Sequence, residues 1–180
     1  MDNLIQIEPA SKREGCPIYT PGGAALEYAP WACNFYRFCG HKCRYCFVPA
    51  HSHVKRERFD LGAKLRPDWL ASLRKDAEKF QALGYSEQIL CCFMTDAYQP
   101  FNMTMTRPSL QILQEFGQSF CILTKGGSRA LADIDLYRPA LDCFASTLTS
   151  LDDKFSKTEV VPVVRTVFAF SLSGSSCFCF

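Results

Sequence analysis

Short apolar runs alternate with helical patterns along this chain, and this alternation limits the folds open to it. The runs cover residues 88–95, 120–124 and 141–147, and a further extended segment is predicted over residues 24–34. Each run has the length of a strand, and uninterrupted apolar strands are typical of parallel sheets that are buried on both faces. We therefore predict four strands that run parallel to one another.

The segments between these strands carry the apolar spacing of helices. Apolar residues recur at three- and four-residue intervals from Leu70 to Phe80, which predicts a helix over residues 67–83. A second helix is predicted to begin at Thr106, and a short third one covers residues 130–137. The alternation predicts an α/β fold built from right-handed βα units. Both a doubly wound open sheet and a partial barrel fit this pattern, and periodicity does not separate them.

Composition indicates one globular domain. The chain has 180 residues, a net charge of +2, 48% hydrophobic residues and 21% charged residues, which is ordinary for a single domain and too apolar for a disordered chain. No apolar run approaches the roughly 18 residues of a membrane span, and no export signal follows Met1. We therefore expect a cytoplasmic protein with no membrane partner. The small net charge gives no argument for broad attraction to nucleic acid.

The cysteines carry the strongest indication of function. Their number, eleven, is odd and no export signal is present, which favours metal binding or catalysis over a disulfide framework. Cys39, Cys43 and Cys46 share one loop at Cys-x3-Cys-x2-Cys spacing. Three such thiolates can hold three irons of a cluster and leave a fourth iron open to a ligand. The alternative is a zinc site completed by a histidine, although zinc sites usually pair cysteines across two-residue gaps. Its candidate histidines are His41, His51 and His53.

The cysteine loop resembles the signature of the radical S-adenosylmethionine superfamily, with an aromatic residue, Tyr45, before the last cysteine. Residues 34–39 (NFYRFC) and 46–51 (CFVPAH) resemble, more narrowly, its spore photoproduct lyase-like branch, often labelled DNA repair photolyase. The resemblance covers roughly residues 24–152. Further segments support it in family order: 95–100 (TDAYQP), 106–108 (TRP), and 123–125 (LTK) followed by 133–136 (DIDL).

This resemblance implies a partial (βα)6 barrel of the radical S-adenosylmethionine type, with the cysteine loop after its first strand. It also implies a [4Fe-4S] cluster held by Cys39, Cys43 and Cys46, whose fourth iron chelates S-adenosylmethionine through its amino and carboxylate groups. Reductive cleavage of that cofactor would release a 5′-deoxyadenosyl radical, which abstracts hydrogen from a substrate. An electron donor such as flavodoxin or ferredoxin is the implied partner, and nucleic acid is the candidate substrate.

Polar residues that follow the predicted strands are candidate contacts of S-adenosylmethionine. Thr95 and Asp96 follow the second strand and resemble the site that receives the cofactor's amino group. Lys125 follows the third strand and would pair with the carboxylate as a point charge. Ser146 and Thr147 end the fourth strand and would bond the carboxylate or the ribose. Because the functional residues of parallel barrels lie at the carboxyl ends of strands, these groups are expected to share one edge.

Each of these residues also has a purely structural interpretation. Asp96 would cap the turn that follows it, and Lys125 would be a solvated loop lysine. The two hydroxyl residues that end the fourth strand would be ordinary strand residues. Tyr45 is predicted to lie beside the adenine of the cofactor or, alternatively, only to pack against the loop.

A basic stretch follows the cysteine loop and bears on the nucleic-acid hypothesis. It could contact a phosphate backbone, but the interposed Glu57 and the small net charge favour an ordinary solvated surface. Its members are His51, His53, Lys55, Arg56 and Arg58.

The sequence pattern divides the chain into three parts. Residues 1–23 are expected to form a loop-rich extension, residues 24–152 a radical S-adenosylmethionine-like core of about four βα units, and residues 153–180 an atypical tail. Within the tail, residues 160–170 would supply at most one further strand. Because the resemblance calls for about six strands, the barrel is expected to be incomplete at its carboxyl end. A truncated or frame-shifted form of a longer enzyme, without activity, is therefore an alternative.

Overall fold

A five-stranded sheet forms the centre of the structure, a computed structural model that describes residues 17–101 and 103–147. Strand β1 pairs antiparallel with β2, and β2 to β5 pair in parallel with their neighbours. The spatial order follows the chain: β1 (Ile18–Tyr19), β2 (Trp31–Cys33), β3 (Ile89–Cys91), β4 (Phe120–Thr124) and β5 (Cys143–Ser146). The prediction of an α/β fold with parallel strands is confirmed.

Helices connect the parallel strands. The two helices predicted from periodicity are present, although the first begins two residues later than expected. The predicted third helix is a 3-10 helix that begins earlier, at Gly127. The α-helices are α1 (Val48–His51), α2 (Arg56–Phe59), α3 (Trp69–Ala82) and α4 (Thr106–Glu115), and the 3-10 helices are Gly23–Glu27 and Gly127–Leu136. Within residues 17–101 and 103–147, no helix has both the length and the apolar character needed to cross a membrane.

One expectation about the start of the core is wrong. Residues 24–34 are not extended throughout, because Gly23–Glu27 is a 3-10 helix and only Trp31–Cys33 is a strand. Small side chains allow this tight helix to lie against the sheet, since Ala25 and Ala29 are buried in a cluster with strand residues. The expected loop-rich extension also contains β1, whose Ile18 is buried and donates its backbone N–H to Asp76 at 3.2 Å.

Strand β3 is shorter than the apolar run that predicted it. The run extends over residues 88–95, but the strand ends at Cys91. Cys92 has φ 62°, in the left-handed region, so the extended backbone cannot continue through it. The chain therefore turns earlier than its apolar pattern indicates, and the segment around Asp96 becomes a loop.

The main core lies between the sheet and the layer formed by α3 and α4. Trp31 and Ile122 of the sheet are buried in the same cluster as apolar residues of both helices. The helices lie side by side, joined by a hydrogen bond from Trp69 Nε1 to Ser109 Oγ at 2.8 Å. The strand order runs without the reversal that defines a doubly wound sheet. Closure into a barrel stays a prediction, and the expectations for residues 153–180 lie outside the described residues.

Candidate functional site

Four loops meet at the carboxyl edge of the parallel strands. The cysteine loop follows β2, residues 95–100 follow β3, Lys125 follows β4, and Thr147 follows β5. Neighbouring strand ends are in register there, because Ser146 is the pairing partner of Thr124 in β4. The backbone N–H of Thr147 donates to the carbonyl of the same Thr124 at 2.8 Å. The residues expected to contact S-adenosylmethionine are thus gathered at one edge.

Asp96 is the buried centre of this edge, with 5% of its surface exposed. Its Oδ1 accepts hydrogen bonds from the Tyr98 N–H at 2.7 Å and the Thr124 hydroxyl at 2.5 Å. Its Oδ2 accepts the Lys125 N–H at 2.8 Å and lies 3.1 Å from His41 Nε2. The bond to Tyr98 fits the interpretation of Asp96 as a turn cap. The other contacts go beyond a turn cap, because they connect the loop after β3 to the end of β4 and its loop, through Thr124 and Lys125, and to the loop after β2, through His41.

The charge of Asp96 is stabilised by these donors. Burial by itself would raise the pKa of the Asp96 carboxyl, but the contact with His41, followed by the bonds from Lys125 N–H and Thr124, lowers that pKa below its ordinary value. Asp96 is therefore ionised, and its negative charge lies next to His41 of the cysteine loop.

Gln99 attaches the cysteine loop at a second point. Its side chain is fully buried, and its Oε1 accepts the backbone N–H of Gly40 at 2.9 Å. Its Nε2 donates to the carbonyl of Phe38 at 3.4 Å. The loop is thus held on both sides of Cys39. The sequence analysis assigned no role to Gln99 and considered His41 only as a zinc ligand. Gln99 does lie within residues 95–100, one of the segments that support the family resemblance, and that segment could have drawn attention to it.

The three loop cysteines are half-buried, and none forms a disulfide within the described residues. Lys42 has φ 57°, and the Cys46 N–H donates to the Cys43 carbonyl at 3.1 Å, so the chain turns tightly between these cysteines. Burial raises the pKa of the Cys39 thiol to about 12, and the nearby groups Asp96, Cys43 and Cys46 contribute to this increase.

The described residues contain no ready-made site for a single metal ion. Among residues 17–101 and 103–147, no group of three or more His, Cys, Asp or Glu side chains is arranged to hold one metal ion. A zinc ion requires all of its ligands to point at one centre, whereas a cluster takes one thiolate per iron and so spreads its ligands. Of the histidines considered for zinc, His41 faces Asp96, and His51 and His53 are exposed.

Lys125 and Tyr45 lie together although they are distant in sequence. The Lys125 Nζ is 4.9 Å from the centre of the Tyr45 ring, within the range of a cation–π contact. Tyr45 is 55% exposed, so it does not pack as a core residue. Thr95, Ser146 and Thr147 are half-buried at the same edge. The edge thus combines a positive charge, an aromatic ring and three hydroxyl groups.

Gly126 allows the loop after β4 to approach the loop after β3. A Cβ on Gly126 would overlap the Cβ of Tyr98 and lie 2.7 Å from the Tyr98 carbonyl oxygen. We expect Gly126→Ala to lower the free energy of unfolding by about 3 kcal/mol, because the backbone must move to relieve the overlap. Urea unfolding of the variant measures this loss. Gly22→Ala is the matched control, since no atom lies within 4 Å of its added Cβ. Equal urea midpoints for the two variants would contradict the prediction.

Two arginines of the basic stretch contact the protein itself. Arg56 bonds both Asp60 and the carbonyl of Cys43, so it supports the cysteine loop. The Arg58 guanidinium carbon lies 5.7 Å from the centre of the Phe38 ring. These contacts agree with the structural interpretation of the stretch, and a contact to nucleic acid there stays a prediction.

Comparisons with known proteins identify no relative: no family model matches the chain, and no curated protein or solved structure matches it. The function of this chain has therefore to be inferred from its own residues.

Proposed function

We propose that this protein binds a [4Fe-4S] cluster through Cys39, Cys43 and Cys46 and cleaves S-adenosylmethionine reductively. The observation that carries the proposal is the placement of three half-buried thiols in one loop at the carboxyl edge of a parallel sheet. When bound, such a cluster supplies the electron for cleavage of the cofactor to a 5′-deoxyadenosyl radical. The electron would come from a flavodoxin- or ferredoxin-like donor, and the substrate would be the molecule that loses hydrogen.

The protein's own contribution is to hold the cysteine loop in place. Gln99 binds the loop at Gly40, and the Asp96–His41 pair binds it between Cys39 and Cys43. Both anchors come from the loop after β3, which is in turn attached to the loop after β4. Preorganised ligands are positioned by partners of this kind in metal sites generally. We propose that these anchors position the thiolates for the cluster.

The other polar and aromatic groups at the carboxyl edge of the sheet are the proposed contacts of S-adenosylmethionine. The Lys125 ammonium would pair with the carboxylate, and Tyr45 would lie beside the adenine. Thr95, Ser146 and Thr147 would donate or accept hydrogen bonds to the carboxylate or ribose. Asp96 is the proposed site for the amino group, and because its oxygens already have internal partners, the amino group would have to compete with His41 for Oδ2.

Anaerobic reconstitution with iron and sulfide tests this proposal. We expect a brown protein with broad visible absorption that produces 5′-deoxyadenosine when S-adenosylmethionine and dithionite are added, because a reduced cluster with an open iron can donate its electron to the cofactor. The control is the same mixture without dithionite, which should yield none. A colourless protein that takes up zinc would contradict the proposal in favour of the zinc module. A brown protein without 5′-deoxyadenosine would contradict the cleavage step and favour the inactive fragment.

A further inference from the structure

We propose that Cys33 and Cys91 are a redox-active pair that forms a reversible disulfide bond when hydrogen peroxide oxidises the chain. Their sulfur atoms lie 3.5 Å apart inside the core, and each side chain is fully buried. Both are free thiols in the structure. The inference does not rest on the proposed function, because neither cysteine is a proposed iron ligand.

The register of the sheet brings the two cysteines together. Cys33 ends β2 and Cys91 ends β3, and they are direct partners in the parallel pairing of these strands. Neighbouring strands lie about 4.8 Å apart, and disulfides accept Cα separations of roughly 4.4–6.8 Å. The sulfurs have to approach from 3.5 Å to about 2.05 Å. Because the strand spacing already suits a disulfide, this approach needs rotation of the side chains and no movement of the strands.

Backbone hydrogen bonds hold the ends of both strands next to each other. The Cys92 N–H donates to the Cys33 carbonyl at 2.7 Å, and the Met94 N–H donates to Asn34 Oδ1 at 3.0 Å. Beyond these bonds the chain continues into the cysteine loop on one side and into residues 95–100 on the other. A disulfide at this point would join the bases of two loops that form the candidate site.

The proposed reaction is a two-electron oxidation with hydrogen peroxide as the oxidant. The Cys33 sulfur attacks one peroxide oxygen, the O–O bond breaks, and the departing hydroxide takes the thiol proton and leaves as water. Cys33 is then a sulfenic acid. The Cys91 sulfur attacks the Cys33 sulfur, the S–S bond forms as the S–O bond breaks, and the second hydroxide leaves as water with the Cys91 proton. Two thiols thus lose two electrons, and one peroxide becomes two molecules of water.

The position of each cysteine sets the order of these steps. Cys33 lies in β2, which borders the two-residue edge strand β1, and short elements at an edge open most easily. Cys91 lies in β3, between β2 and β4. Burial raises the pKa of the Cys91 thiol well above its ordinary value, so this thiol stays protonated and is slow to attack peroxide. Cys91 therefore takes the second step, in which its partner is already beside it.

Peptide mapping of the full chain, without iron reconstitution, tests the pair. The chain is treated with hydrogen peroxide in the absence of denaturant, and its remaining thiols are blocked with N-ethylmaleimide. The single-chain band of a non-reducing gel is then digested and analysed by mass spectrometry. We expect a peptide containing Cys33 joined to one containing Cys91, with the loss of two hydrogens, and dithiothreitol should separate them. Because this readout identifies the joined residues, oxidation of the loop thiols does not obscure it.

Alanine variants assign the link to individual residues. Cys33→Ala and Cys91→Ala should each abolish it, whereas Cys92→Ala should retain it. Cys92 is the matched control because it is also buried and is next to Cys91 in the chain, but it is not the strand partner of Cys33. If Cys92→Ala does not give the parent's melting curve, Cys121→Ala replaces it, since Cys121 is a buried cysteine of β4.

Urea unfolding gives a second readout. A disulfide between residues 58 positions apart restricts the unfolded chain, so peroxide treatment should raise the urea midpoint of the parent but not that of Cys33→Ala. No joined peptide, together with the same midpoint change in both chains, would show that the thiols only pack and would overturn the proposal. Links from Cys33 to Cys92 or to a loop cysteine that are as frequent as links to Cys91 would also overturn it. Neither readout involves iron or 5′-deoxyadenosine, so failure of the proposed function leaves this test unaffected.

Discussion

Replacement of Cys43 by alanine is expected to abolish iron binding. The proposed cluster has three protein ligands, all in one loop, and removal of one leaves an iron without its thiolate. After anaerobic reconstitution, the iron content should fall from about four per chain to fewer than about one. Colorimetric iron and sulfide analysis measures this change, and loss of the visible absorption should accompany it. The same result is expected for Cys39→Ala and Cys46→Ala.

The control for this experiment is Cys143→Ala. Cys143 is half-buried like Cys43 but lies in β5, away from the cysteine loop in sequence. Its variant should retain the iron content of the parent. Cys33→Ala should also retain it, because Cys33 is fully buried with its Sγ 3.5 Å from that of Cys91 and therefore packs in the core. Iron loss in Cys143→Ala equal to that in Cys43→Ala would contradict the ligand assignment.

Replacement of Asp96 by alanine is expected to have the largest effect on stability. The carboxylate accepts three hydrogen bonds and faces His41, so its removal leaves several buried groups at the carboxyl edge without a partner. Removing one member of a buried charged network usually costs about 3–5 kcal/mol. Urea unfolding of the chain before reconstitution measures the loss directly. We expect iron uptake to decrease as well, since the Asp96–His41 contact holds the cysteine loop.

Two variants define the origin of this effect. Asp135→Ala removes an exposed carboxylate that is paired with Arg107, and it should leave the urea midpoint almost unchanged because exposed ion pairs contribute little. Asp96→Asn keeps an acceptor oxygen for Tyr98 and Thr124 but loses the charge that faces His41, so its stability should lie between those of the parent and Asp96→Ala. If Asp96→Ala unfolds at the same urea concentration as Asp135→Ala, Asp96 does not hold the edge together.

The local elements could be predicted wherever one periodic pattern decided them. The residues of β4 and the start of α4 were predicted correctly, because an apolar run and a helical stripe are each set by the repeat of the backbone itself. The 3-10 helix at Gly23–Glu27 and the early end of β3 could not be predicted in this way. The left-handed backbone of Cys92 and the packing of small residues on the sheet depend on neighbours that are remote in sequence.

The same distinction between local patterns and distant contacts applies to the candidate site. The three thiols could be predicted from the sequence, because their spacing within one loop is a local property, and Asp96 and Lys125 were predicted to follow strands. No sequence pattern predicted that His41 faces Asp96, that Gln99 binds Gly40, or that the thiols of Cys33 and Cys91 lie 3.5 Å apart. These partners are distant in sequence and come from separate loops or strands. They meet because the register of the sheet brings the ends of its strands together, and no local pattern contains that register.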